Sequence, residues 1–252
     1  MVDIRVWLWA GLALALLLSA GATAQTPPPV PPPLTAPKVL DLSERNGELD
    51  TAQMKTADVS AVIVRASYGT ERDSRALENV TALRAAGIPV AALYHEFDPV
   101  AGWPAQLATF TAVMRQAGVE RGALWLGSDV VQPTAGARRF MAGLADAFPL
   151  KGGYRHLIYT DEGAWQALGR PAWGARYDLW VADDSSAAEP AVPVTWRTWR
   201  LWQYTAEGDG PANGVSSETV GISRFNGSSL QFESWLVMGK VLGGTPRALS
   251  GE

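Results

Sequence analysis

Eight acidic residues stand just after short apolar runs: Asp41, Glu96, Asp98, Asp129, Asp161, Glu162, Asp183 and Asp184. A carboxyl group at the mouth of a buried strand can hand over a proton, stabilise a developing cation or attack it. Taken one at a time, acids in such places also serve as helix N-caps and turn residues. Asp41, in VLDLS, and Asp129, in ALWLGSDV, stand apart because each lies directly on an otherwise apolar strand. Glu96 is a weaker candidate for the same chemistry, and Asp183 a weaker one still. Aromatic residues accompany the acids. Tyr94, Trp180, Trp202 and Tyr204 fall near strand ends, where their faces could stack on sugar rings, and Gln203 could hydrogen-bond a sugar. Ordinary barrel packing would use the same aromatic residues.

Other chemistries find less support. The two histidines, His95 and His156, are far apart and lack metal-binding spacing, so no metal site is expected. There is no GxSxG, no glycine-rich phosphate loop after a strand, and no cysteine. No cofactor is expected. The net charge of −4 gives no basic footprint for nucleic acid. What remains is a set of carboxyl groups flanked by aromatics, which points to glycoside hydrolysis.

These side chains need elements to carry them. Hydrophobic residues at 47% and charged residues at 18% suit a globular domain with a sizeable core. Strand-like runs occur at residues 39–43, 61–66, 88–94, 123–126, 157–160, 179–182, 199–204 and 220–225. Amphipathic helices are predicted at 75–86, 104–117 and 135–148. Strands alternating with helices imply parallel βαβ units, and eight of them suggest a closed α/β barrel of the TIM type. In such a barrel the strand C-termini converge on one face, which brings the acids together.

The ends of the chain read differently. Arg5, an apolar run at 6–18 and Ala22-Thr23-Ala24 have the order of a secretory signal peptide, taken as residues 1–24. A secreted or periplasmic location follows, with membrane association only if that segment is uncleaved. TPPPVPPPLTAP makes residues 25–37 a proline-rich linker. The barrel domain is expected over 38–240, with a tail at 241–252, and a monomer is expected.

Eight segments in order carry a resemblance: DLSERNGELD, AVIVRASYGT, AAGIPVAALYHEF, ALWLGSDV, LIYTDEGAW, DLWVAD, WRLWQYT and ISRFNG. In this order they resemble glycoside hydrolase family 25, the muramidase-type lysozymes that cut peptidoglycan, over most of residues 38–232. The resemblance implies an irregular barrel of about five β/α units followed by three strands with few helices. It also implies peptidoglycan, or a related glycan, as the partner.

The departures from the family pattern fall on acids. The acid of the family's D-V-E strand corresponds to Asp129, and the first Asp of that strand to Gly127. The late-strand Asp corresponds to Gly221, and the Glu of the second strand to Tyr68. Asp41 is retained. Replacing Glu by Asp withdraws a carboxyl group by roughly 1.3 Å. A misplacement of about 1 Å can cost about a hundredfold in rate. Three readings therefore stand: a hydrolase working through Asp41 and Asp129, a barrel that binds cell-wall glycan without cutting it, and a relative of altered substrate using Glu96 or Asp183 with Asp41.

Overall fold

The computed structural model describes residues 36–127, 134–150, 153–185 and 188–237. The first 35 residues, holding the signal-like segment and most of the proline-rich linker, lie outside the described part, as does the tail beyond 237.

The barrel strands are β1 (Lys38–Leu42), β2 (Val59–Tyr68), β4 (Val90–Glu96), β5 (Gly122–Trp125), β6 (Leu157–Thr160), β7 (Asp178–Ala182), β8 (Leu201–Asp209) and β9 (Thr219–Phe225). A two-residue strand, β3 (Glu71–Arg72), folds back on the end of β2 outside the ring. The neighbours run β1-β9-β8-β7-β6-β5-β4-β2, and pairing of β1 with β2 closes the barrel. β1 to β8 are parallel around the ring. β9 is antiparallel to both neighbours. The last strand therefore brings its beginning, not its end, to the face where the other strands finish.

Five α-helices follow the first five barrel strands in turn: α1 (Thr51–Thr56), α2 (Ala76–Ala85), α3 (Trp103–Ala117), α4 (Thr134–Ala147) and α5 (Glu162–Ala167). Among the described residues no α-helix joins β7 to β8 or β8 to β9. The five-plus-three architecture expected from the family resemblance is thus the observed one, and it is not a regular eightfold β/α ring. The three predicted helices are α2, α3 and α4. Gly118 ends α3 in the left-handed region, at φ 58°, where a residue without Cβ is least strained.

Alternation along the strands sorts the side chains into two cores. Outward residues such as Leu40, Val62, Val64 and Leu124 pack with Leu83, Phe110, Met114, Phe140 and Leu144 of the helices. Inward residues such as Val39, Ala61, Ile63, Ala123, Leu157 and Leu201 fill the lumen. Phe232 and Trp235 of α6 (Ser229–Val237) join this inner core. Arg121, just before β5, donates from Nη2 to the Trp235 carbonyl at 2.8 Å, so α6 covers the end where the parallel strands begin. With that end filled by apolar packing, polar side chains in the lumen collect near the opposite mouth.

Candidate active site

Asp41 is the inward residue two places beyond Val39 on β1. It pairs with Ile63 on β2 and with Gly221 on β9. A Cβ built at Gly221 would overlap both carboxyl oxygens of Asp41, so the missing side chain on β9 is the space the carboxyl group occupies. Gln203, inward on β8, donates from Nε2 to Asp41 Oδ1 at 2.8 Å. Tyr159, inward on β6, donates its hydroxyl to Gln203 Oε1 at 2.7 Å. Burial pushes the Asp41 carboxyl up to about 6, the bond from Gln203 opposes that rise, and the charge of Glu96 adds to it. Asp41 therefore changes protonation state close to neutral pH.

Glu96 is also inward, on β4, but it is engaged. Arg65 on β2 donates from Nη1 to both its carboxylate oxygens, at 3.1 and 3.2 Å. The same guanidinium bonds Asp73 through Nε at 2.8 Å and Glu44 through Nη2 at 3.2 Å. Arg65 is buried, so its charge needs these partners. A carboxylate held through both oxygens by a buried arginine is committed to that pairing.

An aromatic cluster lies beside these groups. Trp125 on β5 stacks on Tyr159, with ring centroids 3.4 Å apart and an interplanar angle of 13°. Tyr94 lies 5.5 Å from Trp125. Trp180 meets Tyr94, Trp125 and Tyr159 edge-on at 6.0, 5.8 and 4.8 Å. Trp180 is fully buried, with its indole N–H donated to Ser223 Oγ at 3.0 Å, so it is the floor of the cluster and not an open stacking face.

Two of the expected sugar-facing residues lie elsewhere. Trp202 and Tyr204 flank Gln203 on β8, and strand alternation turns them outward when Gln203 turns inward. Trp202 is 1% exposed, packs in the outer core, and donates its indole N–H to the Asp183 carbonyl at 2.7 Å. Tyr204 packs edge-on against Trp202, and the Arg224 guanidinium lies 5.6 Å from its ring centroid. The lumen therefore takes Gln203, Tyr94 and Trp180 from that set, and not Trp202 or Tyr204. Trp125 is the lumen aromatic that strand-end position alone passed over; its parity with Gly127 on ALWLGSDV was the available signal.

The remaining acids divide clearly. Asp161 caps α5, accepting from the Ala164 N–H at 2.7 Å. Asp183 accepts from the Ser185 and Ala191 N–H groups at 2.9 and 2.6 Å. Burial raises Asp183, but those bonds outweigh it and hold the carboxyl below its usual range. Asp98 accepts from the Val100 N–H at 2.8 Å. These are local turn and cap duties. Asp129 lies outside the described residues, which on this segment end at Gly127. Tyr68, where the family pattern has an acid, is 51% exposed at the end of β2. Among the described residues no group of three acids or histidines is placed to hold a metal ion.

A closed barrel of five β/α units and three further strands, with a buried acid at its mouth and aromatics in its lumen, suits glycosidase chemistry. The family model for glycosyl hydrolases family 25 matches residues 40–213, and the chain belongs to that family. Solved structures agree on the fold. The bacterial lysozyme from Streptomyces coelicolor is 24% identical, with a TM-score of 0.68, covering 81% of this chain and 98% of the lysozyme. A family 25 glycosyl hydrolase from Bacillus anthracis is 16% identical, with a TM-score of 0.65 and coverage of 79% and 93%. A muramidase from Trichobolus zukalii is 18% identical, with a TM-score of 0.63 and coverage of 80% and 99%. No curated protein matches the chain.

Proposed function

We propose that this protein is a secreted glycosidase that cleaves the glycan strand of peptidoglycan by carboxyl acid/base chemistry. The observation that carries the reading is Asp41. It is an acid at the mouth of a family 25 barrel, held by Gln203 and shifted by burial to about 6. Below that pH Asp41 holds a proton it can give to a leaving oxygen, and above it the carboxylate can take one back. Glycoside hydrolysis needs a second carboxyl group. Asp129 supplies it in this reading, with Glu96 confined to electrostatic support by its bond to Arg65. Trp125, half-buried against Tyr94, gives the bound sugar an aromatic face. The lysozyme and muramidase among the structural relatives support peptidoglycan as the substrate class. The signal-like segment at 1–24 and the proline linker support export of the barrel on a short tether.

The test is release of reducing ends from purified peptidoglycan by the protein lacking residues 1–24. Asp41→Asn and Asp129→Asn should each abolish release. Full activity in Asp129→Asn would remove that residue from the mechanism.

A second reading has its own observation. Gly127 and Gly221 stand where the family pattern has acids, and Asp41 has settled into the space left at Gly221. A barrel so altered would bind glycan without cutting it. Co-sedimentation with intact peptidoglycan and no new reducing ends would decide for this reading.

A further inference from the structure

We propose that Tyr159 and Gln203 form a relay that sets how Asp41 holds its proton, Tyr159 fixing the amide of Gln203 and Gln203 presenting its N–H to Asp41. The relay deepens the reading of Asp41 as the reacting acid, but the relay itself is a property of the folded lumen and does not require turnover. Tyr159 and Gln203 are positioning residues here.

The geometry runs across three strands. Tyr159 on β6 donates to Gln203 Oε1 at 2.7 Å, and Gln203 on β8 donates from Nε2 to Asp41 Oδ1 on β1 at 2.8 Å. A glutamine amide has an accepting end and a donating end. Once its oxygen is taken by the tyrosine hydroxyl, its N–H must face the carboxyl group, and a donor there favours the ionised acid. If the amide turned over, its oxygen would face Asp41 and could be satisfied only by a protonated carboxyl group. The hydroxyl is well placed to prevent that turn. The Tyr159 ring is clamped by stacking on Trp125 and by the edge of Trp180. Burial keeps the phenol protonated, pushed well above its usual range, so it stays a donor.

The groups around Asp41 are accounted for strand by strand. β4 contributes Glu96 and Tyr94, and β2 contributes Arg65, whose charge is spread over Glu96, Asp73 and Glu44. β9 contributes Gly221 and Ser223, neither charged. Asp161 and Asp184 act on Tyr159 rather than on Asp41. Asp129 follows β5 outside the described residues. Within this set Gln203 is the side chain that bonds Asp41 directly.

The experiment is a carbon-13 NMR titration of the Asp41 carboxyl group in the protein lacking residues 1–24, with Asp41→Asn assigning the signal. Gln203→Leu removes the donor and should raise the Asp41 midpoint by about one pH unit. Tyr159→Phe keeps the ring and releases the amide, and should raise the midpoint by a smaller amount. The double variant should match Gln203→Leu alone, because the tyrosine acts only through the glutamine. A merely structural role has the opposite sign: loosened packing would admit water and lower the midpoint toward 3.8, the value of an unburied aspartate. An unchanged or lowered midpoint in Tyr159→Phe overturns the proposal. Should Gln203→Leu fail to fold, Tyr159→Phe alone decides. A protein with no hydrolytic activity gives the same titration, so failure of the relay and failure of the hydrolase reading are separable.

Discussion

Asp41 is costly in the place it occupies. Its carboxyl group binds a proton more tightly in the fold, at about 6, than in the unfolded chain, near 3.8. Between those values the folded state holds more protons, so stability falls as pH rises through the window and stays reduced above it. Asp41→Asn keeps an acceptor for Gln203 and removes the buried charge. The variant should gain stability at pH 7, by up to about 3 kcal/mol, and show no gain at pH 3. Urea unfolding at both pH values reads the difference, and equal stability of the two proteins at pH 7 would contradict it. Gly221 makes the complementary prediction. Gly221→Ala places a methyl group on the Asp41 carboxyl, so the acid must leave its position against β9. The NMR midpoint of Asp41 should drop toward 3.8 as it is displaced toward water, and any hydrolysis should fall at least tenfold, since a shift near 1 Å can cost about a hundredfold. An unaltered midpoint would show that the strand, not the carboxyl, absorbs the methyl.

At the level of elements, the division between lumen and outer core decides which aromatic residues meet a ligand. Trp125 and Trp202 are both tryptophans near strand ends, but one faces inward and the other packs in the outer core against Trp199 and Tyr204. Trp125→Ala should weaken binding of soluble peptidoglycan fragments several-fold while leaving the fold intact. Trp202→Ala should cost about 3–5 kcal/mol in stability with little change in affinity of whatever remains folded. Calorimetric titration beside thermal unfolding separates the two, and the reverse pattern would mean the faces of β5 and β8 had been misread. The strands themselves were legible because each is a short apolar run closed by polar residues, and the acids Asp41 and Glu96 were legible because they end such runs. The facing of the aromatics was legible only in part. Period-two alternation already forbids Trp202, Gln203 and Tyr204 from sharing one face, yet nearness to a strand end grouped them. The capture of Glu96 by Arg65 was not legible, because the two lie on different strands, β4 and β2, and only the parallel pairing of those strands brings them together. The reversal of β9 was also hidden, since a β-branched and aromatic run has the same composition in either direction.

Across the whole molecule the two histidines, whose spacing offered no metal site, are buried where a second proton would cost stability in acid. His156 accepts the Gly122 N–H on Nδ1 at 3.0 Å and faces the Phe148 carbonyl with Nε2 at 2.9 Å. A backbone N–H can only donate, so Nδ1 must be unprotonated and Nε2 must carry the hydrogen. A second proton would set two donors against each other. His95 sits between Ser67 and Gln106, at 2.8 and 2.9 Å, and stacks on Phe140 between the barrel and its helices. Burial lowers both histidines to about 4. The unfolded chain binds those protons near 6.5, so between about 4 and 6.5 it holds more protons than the fold. Stability from the neutral imidazoles is full above 6.5 and is lost as pH falls to 4, by up to about 3 kcal/mol for each. Asp41 works in the opposite direction over 3.8 to 6, with one group against two. The net expectation is a protein less stable at pH 4.5 than at pH 7.5, measured by urea unfolding. His95→Gln can keep a bond to Ser67 or Gln106 without a titrating ring, and should flatten part of the acid loss even if its stability at pH 7.5 is lower. A wild-type protein equally stable at both pH values would mean that the imidazoles accept protons in place, and that the neutral pairing read from Gly122 and Phe148 does not hold.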